Sequence, residues 1–323
     1  MNFSTQIKIK LPKSNTFVSQ ISISEDDKIL ALGCYKQNHV LIYDFKKNLL
    51  LKKINILAPH GILIYKNFLL ISHKFNKSIR IIIYNLNNFK ITSRFKFDTN
   101  YFIAHSMSIS KDSLFITLCE GDNKIGSVIN LKFNHLIGKI DKILQTINKP
   151  FFSLGDTKGV CVNEKRNLLF VSFETEPINF YNLIINKFRF FFLKDKLVEI
   201  NDKSGLAIFE IYSDGKISEK PLKVIKFDKN SRPEDVRIYK NKLATVDLVN
   251  NVIFIYNISN KFELKLIKKL YHNLNSPHQA HFYDNGKKLL VCNTFIKIFN
   301  QKAQFFFFNK STTNNLISYN LLL

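Results

Sequence analysis

The sequence contains no Trp, two Met, ten Gly and four Cys among its 323 residues. All four cysteines lie in apolar runs, without C-x-x-C spacing and without the paired pattern that a secreted disulfide scaffold needs. The apolar runs are too short to span a bilayer, and the first residues contain no apolar core of a signal peptide. These absences predict a cytoplasmic protein that has no membrane partner.

Several catalytic and binding motifs are also absent. The sequence has no G-x-G-x-x-G or G-x-x-x-x-G-K-[ST] loop for phosphates and no G-x-S-x-G elbow for a nucleophilic serine. No local pair of metal ligands such as H-x-H or H-E-x-x-H occurs, and His278 and His281 are three positions apart on a predicted strand, so they face opposite sides. The sequence therefore predicts neither a cofactor nor a metal; a divalent ion has no support at this level.

The formal net charge is +23, from 48 Lys and Arg against 25 Asp and Glu. Such a balance is typical of proteins that bind phosphates. Only six of the basic residues are Arg, however, and Lys, Asn, Ile and Phe are all abundant, as codon bias in an AT-rich genome produces. We therefore attribute the charge to composition, expect no nucleic-acid partner, and predict a small-molecule ligand or a protein as the partner.

The clearest unit is Ser231–Leu270, which contains four alternating apolar runs separated by short polar turns. The runs are Val236–Tyr239, Leu243–Asp247, Val252–Ile258 and Phe262–Leu270. Alternation with a period of two is the pattern of half-buried strands, so this stretch predicts one four-stranded antiparallel meander.

Similar units recur with a period near 44 residues. Their alignment places one residue, which we call the entry residue, just before each first strand; the entry residues are Ser19, His60, His105, Lys158, Glu234 and His278. Four-stranded units at this period are typical of a β-propeller, whose sheets, called blades, bury both faces against their neighbours.

The interval from Lys158 to Glu234 is 76 residues, which is too long for one unit. Its later part, Lys196–Phe227, carries three apolar runs and resembles a degenerate further unit. The sequence thus predicts an all-β protein, a seven-bladed β-propeller of four-stranded antiparallel sheets. Six blades with a long insertion after Leu193 is the alternative.

We expect residues 1–323 to form a single propeller domain. The N-terminal run Gln6–Leu11 resembles the fourth strands and has no strands of its own to pair with, so we predict that this N-terminal strand closes the last blade. Gln304–Phe308 is a rival for the same position, and residues 301–323 are a candidate surplus tail.

The loops that enter the first strands share one face of a propeller with the loops that follow the second strands. This face is predicted to carry the site, which is lined by His60, His105, Lys158, Glu120, Glu174, Arg232, Glu234, Asp235 and His278. An imidazole would activate water, Arg232 or Lys158 would stabilise an oxyanion, and Glu234 or Asp235 would orient the base. The structural alternative is that each His only hydrogen-bonds the backbone of a neighbouring blade.

The motif RPEDVRIYKNKLATVDLVNNVIFIYNI resembles an NHL-type repeat, and PHGILIY, AHSMSIS and PHQAHFYDNGKKLLVCN resemble the YVTN and lactonase-type propellers. The resemblance to 6-phosphogluconolactonase-like members implies lactone hydrolysis at the channel mouth. It implicates His105, Arg232 and His278 in catalysis, with Glu120 or Glu174 beside them. This chain departs from the pattern, because Glu234 stands where an Arg-His pair would place His.

Two functions follow as hypotheses. The first is a propeller that binds a small polar or anionic metabolite and hydrolyses a lactone at the channel mouth. The alternative is a propeller without enzymatic activity that serves as a scaffold for macromolecular interaction.

Overall fold

The computed structural model describes residues 4–5, 9, 11, 17–119, 125–174, 204–228, 231–294, 296–297, 307–308 and 316–321. In this part of the chain, six antiparallel sheets of four strands each form a ring. The innermost strand of each sheet contacts the innermost strands of both neighbouring sheets, and the last contacts the first. The fold is therefore a closed β-propeller with six blades.

The blades are numbered along the chain, and their strands are given from the central channel outward. Blade 1 has Gln20–Ile23, Ile29–Cys34, His39–Asp44 and Leu49–Asn55; blade 2 has Pro59–Tyr65, Phe68–Phe75, Ser78–Asn85 and Lys90–Asp98; blade 3 has Ile103–Ser110, Ser113–Cys119, Ser127–Asn134 and Lys139–Ile147. Blade 4 has Asp156–Asn163, Leu168–Glu174, Ser204–Glu210 and Lys223–Lys226; blade 5 has Pro233–Tyr239, Lys242–Asp247, Val252–Ile258 and Leu264–Leu270; blade 6 has Pro277–Tyr283, Lys288–Asn293, Leu316–Asn320 and Ser4–Thr5.

The prediction of seven blades is wrong, and the count of six in the alternative is confirmed, although the extra residues begin after Glu174 and not after Leu193. Ser204–Glu210 pairs with Leu168–Glu174, and Lys223–Lys226 pairs with Ser204–Glu210. The strands that suggested a degenerate unit are therefore the outer half of blade 4. The surplus residues, 175–203, fall between its second and third strands. The run Ile178–Leu183, which resembles a third strand, lies outside the described residues.

The hydrophobic core is divided into six clusters, one at each interface between adjacent blades. Between blades 2 and 3, for example, Ile81 packs in one cluster with Ile116 and Leu131. The cluster between blades 6 and 1 joins Leu290 to Leu32. Each sheet is apolar on both faces, so the facing sides of blades 6 and 1 are buried only when the ring closes.

Blade 6 is assembled from both ends of the described chain. Leu316–Asn320 pairs with Lys288–Asn293, and Ser4–Thr5 pairs with Leu316–Asn320 as the outermost strand. The blade strand Leu316–Asn320 thus lies within the segment for which a surplus tail is predicted. Phe307–Phe308 pairs instead with Ile296–Lys297 in a separate two-stranded sheet. The extent of the single domain, 1–323, stays a prediction.

Side chains of one blade accept hydrogen bonds from backbone N–H groups at the inner edge of the next blade. The innermost strand is the edge of its sheet, so one row of its backbone N–H groups has no partner within the sheet. Ile64 N donates to Ser22 Oγ over 2.8 Å, and Ala280 N donates to Asp235 Oδ2 over 3.2 Å. The same arrangement joins Val160 to Ser106, Val162 to Ser108 and Ile21 to Gln279. These bonds fix the inner strands against one another.

Gly159 marks a close approach between two inner strands. A Cβ atom at Gly159 would lie 2.4 Å from Val236 N and 2.8 Å from Asp235 Cα, both in the backbone of blade 5. Gly33, in the second strand of blade 1, is a contrasting case, because its Cβ would lie 3.0 Å from the Gln20 side chain. Of these two positions, only Gly159 would require two blades to separate if it were replaced by Ala.

Helices contribute little in the described ranges. There is one α-helical turn, Phe151–Leu154, and there are two 3-10 turns, Tyr35–Gln37 and Glu164–Arg166. None of these elements is long enough or apolar enough to cross a bilayer.

Candidate functional site

β-Bulges place five of the six entry residues. The pairing of first and second strands shifts at each of them, so that an extra residue of the first strand is accommodated; the shifts lie at Pro59/Gly61, Ala104/Met107, Thr157/Val160, Pro233/Asp235 and Pro277/Gln279. A bulge turns a side chain out of the regular alternation of the strand. His60, His105, Lys158, Glu234 and His278 are therefore set apart from the neighbours that pack between blades.

Hydroxyl groups on the second strands stabilise three of these bulges. Gly61 N donates to Ser72 Oγ over 2.9 Å. Ser106 N donates to Thr117 Oγ1 over 3.1 Å, and Gly159 N donates to Ser172 Oγ over 2.8 Å. Because a buried N–H left without an acceptor would be costly, these hydroxyls explain why the bulges persist inside the ring.

Glu234 is the centre of the site. Its Oε1 atom lies 2.9 Å from His105 Nε2 and 3.3 Å from His278 Nε2. The two imidazole rings have centroids 5.2 Å apart. The three side chains come from blades 5, 3 and 6, so only closure of the ring brings them together. We call this group the Glu234 cluster.

Lys158 lies beside this cluster in a carboxylate-rich setting. Its Nζ atom is 3.3 Å from Asp156 Oδ2 and 3.6 Å from Glu174 Oε1. Only 8% of the Lys158 side chain and none of the Asp156 side chain is exposed. A buried charge of this kind requires compensating charges close by, and these carboxyl groups provide them.

The pKa values follow from burial and from these neighbours. Burial opposes the charge on Lys158, but Asp156, Glu234 and Glu174 outweigh that effect and hold its pKa well above the ordinary value. Burial likewise opposes ionisation of Glu234, but Lys158 and the histidines outweigh it, so the pKa of this carboxyl lies below its usual range. Burial lowers the pKa of His278 to about 4, although Glu234 acts in the opposite direction. At neutral pH the cluster thus contains an ionised carboxylate beside the neutral imidazole of His278.

His60 lies on blade 2 near the same cluster. Its ring is 4.7 Å from the ring of Tyr35, centroid to centroid, and 6.5 Å from that of Phe102. Burial lowers its pKa to about 3, and electrostatic effects of His105 and His278 add to the shift. His60 is therefore a neutral neighbour of the Glu234 cluster.

Asp235 and Arg232 have other surroundings. Asp235 Oδ2 accepts from Arg237 Nε over 3.0 Å and from Ala280 N, so this carboxyl joins blades 5 and 6. Arg232 is buried where the chain enters blade 5; its Nη1 donates to the Ser231 carbonyl over 3.1 Å and its backbone N–H donates to Asp247 Oδ1. These contacts hold the backbone of blades 5 and 6, and a role of Asp235 and Arg232 in the site stays a prediction.

Of the remaining predicted residues, Glu174 lies beside Lys158, and Glu120 lies outside the described residues. Sequence reasoning missed Asp156, which pairs with Lys158, and Arg237, which pairs with Asp235. Position could have indicated Asp156, since it lies two residues before an entry residue. Arg237 sits in the middle of an alternating strand, where the sequence offers no distinguishing signal.

The basic residues are spread around the rim. Exposed lysines occur on the outermost strands of five blades, for example Lys52, Lys90, Lys142, Lys226 and Lys265. A partner attracted by charge would favour one basic face over an even distribution. This arrangement agrees with the compositional origin of the net charge.

The chain matches no protein-family model and no curated protein sequence. It is similar in structure to a luciferin-regenerating enzyme, with 10% identity, a TM-score of 0.66, and coverage of 99% of this chain and 95% of that chain. It is also similar to the RRP9 WD40 repeats, with 11% identity, a TM-score of 0.57 and 96% of both chains covered.

A third similar structure is a candidate 6-phosphogluconolactonase from Bacteroides uniformis. The identity is 8%, the TM-score is 0.54, and the match covers 79% of this chain and 70% of that chain. At such identities the likeness establishes the propeller fold alone. Membership of a YVTN, lactonase-type or NHL-type family stays a prediction.

Proposed function

We propose that the channel mouth binds a small polar metabolite and hydrolyses it as a lactonase-type enzyme at the Glu234 cluster. The observation that carries this proposal is the contact of one carboxylate oxygen, Glu234 Oε1, with two imidazoles from different blades, at 2.9 and 3.3 Å. A carboxylate that contacts an imidazole stabilises the positive charge that the imidazole acquires when it takes a proton from water.

Each residue has a distinct role in this scheme. The neutral imidazole of His278 takes a proton from the attacking water, and Glu234 stabilises the resulting imidazolium. The imidazolium returns this proton to the ring oxygen as the ester C–O bond of the lactone breaks. Lys158, whose charge acts on Glu234, would stabilise the developing oxyanion. Asp235 is bound to Arg237 and Ala280, so the role of orienting the base goes to Glu234 alone.

The charge around the cluster narrows the substrate class. Glu234, Asp156 and Glu174 set three carboxyl groups against Lys158. An added carboxylate or phosphate would meet these groups at close range and be repelled. Of the polar and anionic metabolites predicted from the sequence, an uncharged lactone therefore suits the site better.

A panel of sugar lactones tests the proposal by acid release in weakly buffered solution and by thermal shift. We expect hydrolysis by the wild type and a loss of about 100-fold or more in kcat/KM for Glu234→Gln and His278→Gln. The matched control is His135→Gln, because His135 forms a surface pair with Asp112 at 3.1 Å. The control should retain full activity and an unchanged unfolding midpoint.

Two results would count against hydrolysis. If the wild type neither hydrolyses nor is stabilised by any lactone, the ligand-binding proposal is wrong, and the scaffold hypothesis remains. If both cluster variants hydrolyse lactones as fast as the control variant, the activity lies elsewhere in the protein.

A further inference from the structure

The atoms of the Glu234 cluster have the separations of metal ligands. His105, Glu234 and His278 each offer one ligand atom, and all three atoms lie within 4.8 Å of one another. Ions such as Zn²⁺ bind imidazole nitrogen and carboxylate oxygen at about 2.0–2.1 Å. With such bonds, the separations of 2.9 and 3.3 Å from Glu234 Oε1 correspond to ligand–metal–ligand angles of about 90° and about 107°. Both angles are compatible with four-coordinate or five-coordinate geometry.

The hydrogen bonding of His105 indicates which atom faces Glu234. Nδ1 of His105 lies 3.2 Å from the carbonyl oxygen of Lys158. A carbonyl oxygen only accepts hydrogen bonds, so Nδ1 carries the proton and, in the neutral ring, Nε2 presents its lone pair. Metal-binding histidines are commonly held in this way, with the other ring nitrogen donating to a backbone carbonyl.

This tautomer creates an electrostatic conflict that a cation resolves. The lone pair of His105 Nε2 lies 2.9 Å from an oxygen of the Glu234 carboxylate. Two electron-rich atoms at this distance repel unless a positive charge lies between them. The charge is either a proton on Nε2 or a metal ion shared with His278.

From this geometry we infer that His105 Nε2, His278 Nε2 and Glu234 Oε1 bind one divalent transition-metal ion at the channel mouth. Two imidazoles and one carboxylate suit Zn²⁺, Co²⁺ or Fe²⁺, whereas Ca²⁺ and Mg²⁺ prefer sites made of oxygen ligands alone. Three protein ligands leave a position for water, as in hydrolytic metal sites. The inference rests on the proposed function and shares its site. With the ion bound, His278 would act as a ligand, and the ion would take over from its imidazole the activation of water.

Metal binding is measured first without any substrate. The purified protein is stripped with a chelator and titrated with Zn²⁺ and, separately, with Ca²⁺ by calorimetry. We expect one Zn²⁺ per chain and at least about 100-fold weaker binding of Ca²⁺. Glu234→Gln, His105→Gln and His278→Gln should each lose about 100-fold or more in Zn²⁺ affinity, while His135→Gln keeps the wild-type affinity.

A spectroscopic measurement on the wild type covers the case in which a cluster variant fails to fold. The stripped protein is loaded with Cu²⁺, and electron spin-echo modulation from the remote imidazole nitrogens counts the bound histidines. Two equivalent histidines per ion are the expected result. A result of none, or the absence of stoichiometric Zn²⁺ binding, would overturn the inference and leave a proton as the shared cation.

The outcomes separate this inference from the proposed function. Stoichiometric Zn²⁺ binding by a protein that hydrolyses no lactone would support the metal site and refute the hydrolase. Full lactone hydrolysis by the stripped protein, with the chelator present, would support the hydrolase and refute the metal ion as part of its site.

Discussion

Replacing Lys158 by Met tests the charge balance at the channel mouth. The Met side chain fills most of the same volume, and the backbone carbonyl that accepts from His105 is retained. The change removes the cation that lies 3.3 Å from Asp156 and 3.6 Å from Glu174. Both carboxyl groups are almost completely buried, so water cannot replace the lost charge.

The expected cost is large because the pair is buried. Removing one partner of a buried ion pair typically destabilises a protein by about 3–5 kcal/mol, since the other charge is left uncompensated. A matched control is Lys132→Met, because Lys132 forms a similar pair with Asp112 at 3.2 Å, with side chains 41% and 51% exposed. Exposed pairs contribute about 0–1 kcal/mol.

The assay is equilibrium unfolding in urea at pH 7 and pH 5. At pH 7 we expect Lys158→Met to lose about 3–5 kcal/mol and Lys132→Met to lose less than about 1 kcal/mol. At pH 5 the deficit of Lys158→Met should shrink, because carboxyl groups left without their cation take up protons and lose their mutual repulsion. Equal losses for the two variants at pH 7, or a deficit that grows on acidification, would refute the account of Lys158 as the compensating charge.

Three further predictions concern the ring and its histidines. Gly159→Ala should lower the free energy of unfolding in urea by about 3 kcal/mol or more, because the added Cβ meets the backbone of blade 5. The control Gly33→Ala should lower it by about 1 kcal/mol or less, and similar losses for the two variants would contradict the close approach. In the metal-free protein, His60 stays neutral when folded and takes up a proton below its unfolded pKa of about 6.5 when unfolded, so its contribution to stability is lost as the pH falls. Between pH 7 and pH 5 the free energy of unfolding of the wild type should thus fall by about 2 kcal/mol more than that of His60→Gln. Parallel pH profiles of stability for the two proteins would show that His60 does not contribute in this way. Deleting residues 316–323 removes a strand of blade 6 and should prevent soluble expression, whereas Tyr319→Phe should express normally; a folded deletion variant would show that the strand is dispensable.

The sequence determined the repeating unit and the entry residues. Strand alternation is local, because the side chains of successive residues point to opposite faces, so a period of two is visible without any partner strand. The period near 44 aligned His60, His105, Lys158, Glu234 and His278, and the structure places these five at bulges around one channel. The all-β propeller class followed from the same local signal.

Tertiary structure alone decided the number of blades and the partners within the site. Ile178–Leu183 and Ser204–Glu210 both have the alternation of a third strand. Only the pairing of Ser204–Glu210 with Leu168–Glu174 shows that Ser204–Glu210 is the third strand of blade 4. Closing the ring brought Glu234 to His105, across 129 positions of sequence, and a bulge turned Asp235 toward Arg237 although it adjoins Glu234. Which groups meet across blades depends on ring closure and bulge geometry, and neither property is contained in the local alternation of a strand.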